Sequence, residues 1–289
     1  MKIAIASGKG GTGKTTLSVN LAAYLSSLKY NVVLVDADVE EPNSGIFFKE
    51  EKLISEIKYK KIPEWKQKIC TLCGKCREYC NFNAIITLPQ SVLVLPELCH
   101  SCYACSELCP TGALQMINAD LGIVNQFKIN ENLSFIEGIM DIGQESAVPL
   151  IKQTIEFVNK NLKKEDIILL DAPPGTSCPV IETVKDADFI ILVTEPTPFG
   201  LHDLKLAVQT VQKLNKEFAV IINRYGLGND EVEKYCSSNN IKIIAKIPNK
   251  REIAVLYSKG ELLYDKIPEV KKELENIHDS LFFKVKFHS

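Results

Sequence analysis

The feature that most constrains this chain is the run Gly8-Lys9-Gly10-Gly11-Thr12-Gly13-Lys14-Thr15, which fits G-x-x-x-x-G-K-[ST]. An apolar stretch, Lys2 to Ala6, precedes it, and Lys14 to Leu28 follows with Leu17, Leu21, Leu25 and Leu28 at helical spacing. A strand, a glycine loop and a helix in that order form an anion cradle. The glycines let successive N–H groups face one phosphate, and the helix adds its positive end. Lys14 is placed to reach the β- and γ-phosphates and Thr15 to offer a hydroxyl to Mg²⁺.

The rest of the chain alternates in the same way. Val32 to Asp36 reads as a strand closing a first βαβ unit, and later strands are expected at Leu133–Ile136, Asp166–Asp171, Asp188–Thr194, Phe218–Asn223 and Ile241–Ile247. Between them fall helical patterns over Val148–Asn161, Pro179–Lys185, Leu201–Leu214 and Asp230–Ser237. Near-continuous apolar strands separated by amphipathic helices imply an α/β fold, a doubly wound and mostly parallel sheet covered on both faces. Val270, Leu274, Ile277 and Leu281 predict a closing helix, followed by the short tail Phe282-Phe283-Lys284-Val285-Lys286-Phe287.

A cysteine module interrupts this alternation. Eight of the ten cysteines lie between Cys70 and Cys109, and the spacing Cys70-x2-Cys73-x2-Cys76-x3-Cys80 recurs as Cys99-x2-Cys102-x2-Cys105-x3-Cys109. The same 29-residue offset maps Glu78 onto Glu107 and Ala84 onto Ala113. Such a run wraps three thiolates around one 4Fe–4S cubane and sends the fourth to the other, so two copies imply two clusters. Cys70, Cys73, Cys76 and Cys109 are expected to hold the first, and Cys99, Cys102, Cys105 and Cys80 the second. Zinc sites instead pair C-x2-C units across longer gaps. Pro110 completes the bacterial ferredoxin signature, Asn81 departs from it, and Ile85–Leu88 with Val92–Leu95 predict a small hairpin. The module leaves the α/β chain after Asp38 and the Pro42-Asn43-Ser44-Gly45 turn, passes a charged connector around Glu50 to Lys61, and ends near Asn118 to Gly122. The implied division is a discontinuous nucleotide domain, 1–57 and 119–289, carrying a small inserted α+β ferredoxin domain at 58–118.

Composition limits the partners. A net charge of −2 over 289 residues provides no field for nucleic acid or an anionic membrane. The longest apolar runs, such as Phe189 to Val193, are strand-sized, and the N-terminus lacks the ordered regions of a signal peptide. A cytoplasmic protein without stable membrane insertion is expected, where cysteines serve as metal ligands or reactive thiols rather than disulfides.

The nonamer Gly8 to Thr16, with Lys9 inside the loop, resembles the deviant P-loop of the MinD/ParA family, which includes the nitrogenase iron protein and the Mrp-type iron–sulfur carriers. The resemblance implies that Lys9 crosses a dimer interface to the partner subunit's nucleotide. Val35-Asp36-Ala37-Asp38 matches the family's first switch, where Asp38 would orient or deprotonate the attacking water. Asp171-Ala172-Pro173-Pro174-Gly175 matches the second, where Asp171 would hold Mg²⁺, usually through water. Asn223 resembles the adenine-reading asparagine. The chain as a whole resembles the subgroup with an inserted ferredoxin domain, including Thr194 to Asp203, a motif without a role derived from its residues. Cys178 follows Asp171 at the offset of a cluster-ligating cysteine in the nitrogenase iron protein, and a structural role is its alternative. His202 reads as a polar residue at a helix start, and Cys236 as a small buried hydrophobe.

These resemblances imply an ATP/ADP-binding Mg²⁺-dependent ATPase that forms a homodimer on binding ATP and passes electrons through two 4Fe–4S clusters to an unidentified protein. A cluster carrier of the Mrp type and a MinD-like positioning ATPase are the two alternatives.

Overall fold

A computed structural model describes residues 1–48, 51–161 and 166–282. The chain begins with β1 (Lys2–Ala6), α1 (Lys14–Ser27) and β2 (Val32–Asp36), then a 3-10 turn at Ser44–Phe47 and a fifteen-residue strand, β3 (Glu51–Trp65). The cysteine-bearing region follows as α2 (Lys75–Glu78), β4 (Ile85–Leu88), β5 (Ser91–Val94) and α3 (Ala104–Glu107). A second fifteen-residue strand, β6 (Leu114–Lys128), returns to β7 (Leu133–Met140) and α4 (Val148–Asn161). Then come β8 (Ile167–Asp171), α5 (Cys178–Val184), β9 (Phe189–Thr194), α6 (Pro198–Lys213), β10 (Phe218–Tyr225) and α7 (Glu231–Ser238). The last are β11 (Ile243–Pro248), α8 (Arg251–Ser258) and α9 (Pro268–Phe282).

One nine-stranded sheet has the order β11-β10-β9-β1-β8-β2-β7-β6-β3. The strands from β11 to β7 run parallel, whereas β6 and β3 are antiparallel to their neighbours. Strand alternation divides the core between the two faces. Ala4, Ala6, Val33 and Val35 join residues of α4, α5, α6 and α7 on one face. Ile3, Ile5 and Leu34 join Leu17, Leu21 and Leu25 of α1 and Leu274 and Ile277 of α9 on the other. The sheet is therefore doubly wound, as the alternation implies. It brings the C-terminal ends of β1, β2 and β8 together, with Asp36 directly beside Asp171 in register.

The expected connector is the main correction. Residues 51–65 form β3, which pairs with β6 along its whole length, from Glu51 opposite Lys128 to Trp65 opposite Leu114. The reading ended the module at Asn118 to Gly122, but β6 runs on to Lys128 and joins β7. Period-two alternation fails here because much of β3 is solvated, with Leu53, Ile57 and Tyr59 exposed. Positions 57/58 and 118/119 thus lie inside paired strands. Glu50 and the tail from Phe283 onward lie outside the described residues. The structure also adds α8, unread in the sequence, and starts α6 at Pro198, where the Thr197 hydroxyl accepts the Gly200 N–H at 3.0 Å. The expected hairpin is present as β4 paired antiparallel with β5. Among the described residues no helix is long and apolar enough to cross a membrane.

Candidate functional site

The glycine loop from Gly8 to Thr12 joins β1 to α1 with Gly11 and Gly13 in the left-handed region, at φ of 75° and 92°. A side chain at Gly13 would meet Asn223 Nδ2 at 2.2 Å, so glycine is required there for space as well as conformation. The end of β10 holds the loop. Asn223 Nδ2 donates to the Thr12 carbonyl at 2.7 Å, and Arg224 Nη2 donates to the Gly11 carbonyl at 3.3 Å. In a trans peptide the carbonyl and the next N–H point oppositely. Holding those carbonyls therefore turns the N–H groups of Thr12 and Gly13 away from β10.

Two carboxylates end adjacent strands behind the loop. Asp171 is buried, its Oδ1 has no hydrogen-bond partner, and the Thr12 hydroxyl is likewise buried without one. The nearby Thr15 and Ser18 hydroxyls favour the ionised form of Asp171. Burial pushes the Asp171 carboxyl up to about 7, with repulsion from Asp36 adding to it. Burial and then the Asp36 charge raise Asp38 to about 6. Burial pulls the Lys14 ammonium down against the opposing pull of Asp171, Asp38 and Asp36. A buried cation, two orphaned oxygens and raised carboxyls together fit a site built for a phosphate with a divalent cation. Thr15 and Asp171 would hold the metal, and Lys14, Gly10, Thr16 and the loop amides would surround the phosphates.

Asp36 was absent from the expected site residues. Its Oδ1 accepts the Asp38 N–H at 3.1 Å, and its Oδ2 accepts the N–H groups of Asn43 at 3.0 Å and Ser44 at 2.9 Å. The Ser44 hydroxyl lies 3.5 Å from Asp171 Oδ2, as donor. Asp36 thus fixes the segment between the first-switch aspartate and β3. The signal was its place as the last residue of a fully apolar strand.

Lys9 Nζ stands 3.7 Å from Glu195 Oε2 of its own chain, and Arg224 Nη1 is 2.7 Å from the other oxygen of the same carboxylate. Cys178 is exposed at the first position of α5, His202 is exposed on α6, and Cys236 is fully buried on α7 with its thiol pushed up to about 11. Cys236 is the small hydrophobe its pattern predicts.

The cysteines separate into two fours. Cys80, Cys99, Cys102 and Cys105 line one pocket, with Tyr79, Phe82, His100 and Tyr103. Cys70, Cys73, Cys76 and Cys109 line another, beside Trp65 and Pro110. The fourth cysteine of each run therefore lines the other run's pocket. The repeat also extends to the backbone. Leu72, Gly74 and Asn83 adopt positive φ, and so do Ser101, Tyr103 and Gly112 at the same 29-residue offset, with α2 recurring as α3. Among the described residues no three His, Cys, Asp or Glu side chains converge on a single ion. Four thiols at one pocket match in number the thiolates that hold a 4Fe–4S cluster.

β3 reaches both pockets, with Pro63 at that of Cys99 and Trp65 at that of Cys70. Lys60, buried, donates from Nζ to the Pro96 carbonyl at 2.6 Å, and the Ser101 hydroxyl donates to the Lys61 carbonyl at 2.6 Å. Cys99 Sγ lies 3.9 Å from that same Lys61 oxygen. Burial lowers the Lys60 ammonium, and the charge of Cys99 opposes this. In the pocket of Cys70 the N–H groups of Leu72 and Ala113 donate to Cys70 and Cys109 Sγ at 3.4 and 3.3 Å.

The sequence profile of the CobQ/CobB/MinD/ParA nucleotide-binding domain matches residues 3–263. The chain is 32% identical to an uncharacterised protein of Methanocaldococcus jannaschii, over 97% of this chain and 96% of that one. It is 23% identical to an iron–sulfur cluster carrier protein of Pyrococcus horikoshii, over 95% of this chain and 83% of the relative. Among solved structures, the septum site-determining protein MinD of Pyrococcus horikoshii complexed with Mg-ADP superposes with a TM-score of 0.60 at 21% identity, covering 97% of this chain and 95% of that one.

Proposed function

Since the chain belongs to the CobQ/CobB/MinD/ParA nucleotide-binding family, we propose that it is an ATPase whose nucleotide state acts on two 4Fe–4S clusters held by residues 58–118. Lys14 and the loop amides from Gly8 to Thr16 bind the phosphates, Thr15 and Asp171 hold Mg²⁺, and Asn223 borders the base. Asp38 orients the attacking water, with its carboxylate as the proton acceptor. Lys9 reaches the nucleotide of a second copy, so that hydrolysis needs a homodimer.

When bound, the clusters supply one-electron transfer at low potential. Cys70, Cys73, Cys76 and Cys109 would hold one, and Cys80, Cys99, Cys102 and Cys105 the other. The observation that carries the reading is the route between the two sites. Asp36 pins Ser44 next to Asp171, β3 starts a few residues later, and its far end is hydrogen-bonded to the loop of Cys99 and Ser101. A γ-phosphate that draws in Asp38 would pull on the segment Asp36 holds, and β3 would carry the displacement to the second cluster. Cluster potential follows exposure and hydrogen bonding, so a shift there changes the driving force for electron transfer to a protein partner.

A second reading, cluster delivery, is favoured by the exposure of Cys73 and Cys102, one in each set, and by the carrier relative. A MinD-like positioning ATPase would need a membrane-binding tail, and the stretch after Phe282 lies outside the described residues. Iron analysis of anaerobically purified protein tests the ligand assignment, with about eight iron and eight sulfide per chain expected. Stoichiometric zinc without sulfide would overturn it. Clusters that survive a chelator support the redox reading, and rapid loss to an apo-acceptor supports delivery.

A further inference from the structure

The motif Thr194 to Asp203 has no part in the mechanism above, yet it is packed against the phosphate loop. A side-chain carbon on Gly8 would meet the Asp203 carbonyl oxygen at 2.2 Å, and one on Gly228 would meet that of Pro196 at 1.5 Å. Within this tight packing sits Glu195, whose side chain is only 7% exposed. Two cations share its carboxylate, but unequally. Arg224 contacts Oε1 at 2.7 Å and Lys9 contacts Oε2 at 3.7 Å. Arg224 is held in addition by the Gly11 carbonyl, whereas among the described residues the Lys9 ammonium has Glu195 as its one side-chain partner.

This asymmetry matters because a buried carboxylate stripped of its only counter-ion is costly. Glu195 is never stripped when Lys9 departs, since Arg224 remains. The exchange of Lys9 from one anion to another is then close to balanced. A lysine with no anion in its own chain would wander in solvent and lose more side-chain entropy on reaching a distant phosphate.

We propose that Glu195 is a positioning residue that parks Lys9 within its own chain, and that Arg224 permits release by staying as the counter-ion when the nucleotide of a second copy takes the ammonium. The parking stands on the contacts alone, whereas the release rests on the reading of Lys9 given under the proposed function.

Two variants of the full chain move in opposite directions. In nucleotide-free protein, labelling of Lys9 by an acetylating reagent, read by mass spectrometry against exposed Lys29, should rise about two- to fivefold in Glu195→Gln, the range of a partly exposed ion pair. At saturating non-hydrolysable ATP analogue, which removes differences in nucleotide affinity, the dimer dissociation constant of Glu195→Gln should fall by the same factor. Arg224→Ala should raise that constant and slow Lys9 labelling, because Lys9 becomes the only counter-ion of Glu195. Unchanged Lys9 labelling in Glu195→Gln would overturn the parking even if all proteins dimerise normally. Both variants shifting the dimer constant in the same direction would overturn the part given to Arg224. A wild-type protein that stays monomeric, with Lys9 labelling still raised in Glu195→Gln, would overturn the release and the Lys9 reading beneath it while leaving the parking supported.

Discussion

Asp36 Oδ2 accepts the backbone N–H of Ser44 at 2.9 Å, and the Ser44 hydroxyl in turn lies 3.5 Å from Asp171. This pair joins the second-switch aspartate to the only segment between the first switch and β3. Asp36 accepts three N–H groups in all. Replacing Asp36 with Ala leaves these donors without their acceptor, and a loss of about 1–3 kcal/mol is expected. Thermal unfolding checks the stability. The more specific outcome is that any nucleotide effect on the clusters becomes smaller in Asp36→Ala than in wild type, while iron content is unchanged.

Lys14 and Lys9 occupy one loop but should fail differently. Lys14→Ala removes a buried cation from the phosphate site and should lower nucleotide affinity more than tenfold in equilibrium binding. Lys9→Ala should retain binding of ADP and lose dimerisation and hydrolysis. Asp38→Ala should hold ATP without cleaving it, so a stable dimer is expected by light scattering.

Lys60 distinguishes the clusters electrostatically. Its buried ammonium senses Cys99, whereas Lys75, which lines the pocket of the other set, is exposed. Removing a positive charge disfavours the reduced, more negative cluster. Lys60→Gln should therefore lower one of two midpoint potentials, on the order of 50 mV, equivalent to about 1 kcal/mol per electron. Redox titration followed by electron paramagnetic resonance reads both centres, and equal shifts in both would contradict the assignment.

The two cysteines outside the repeat provide a solvent test. Cys178 is exposed, whereas Cys236 is fully buried with its thiol at about 11, so the reactive thiolate form of Cys236 is scarce below that pH. Alkylation of the native holoprotein at pH 8 should modify Cys178 within minutes and Cys236 only after unfolding. Raising the pH toward 11 should increase the thiolate population of Cys236, though burial still limits its rate.

The sequence carried the parts that local chemistry dictates. Gly11 and Gly13 announce the loop, Ile3 to Ala6 is apolar throughout as a strand covered on both faces must be, and the 29-residue repeat makes Cys80 and Cys109 the fourth cysteines of two matching runs. What it concealed depends on pairing partners far away in sequence. β3 leaves Leu53, Ile57 and Tyr59 exposed instead of burying an apolar face, and its hydrogen bonds come from β6, whose Lys128 pairs with Glu51 across 77 residues of sequence and whose Leu114 pairs with Trp65 across 49. Glu195 and Arg224 looked like ordinary strand-end residues until the fold set both against Lys9. Asp36 and Asp38 stand two residues apart, and only the backbone path shows that Asp36 holds the chain through three N–H groups.

The most direct test of coupling is the reduction potential of both clusters with no nucleotide, with ADP and with a non-hydrolysable ATP analogue, each on protein shown to be dimeric in the last state. At least one potential is expected to shift with the analogue, most strongly for the cluster of Cys80, Cys99, Cys102 and Cys105. Reciprocity then requires analogue affinity to differ between oxidised and reduced protein by the same free energy, tenfold for each ~59 mV per electron. Identical potentials in all three states, with equal affinity in both redox states, would contradict the account.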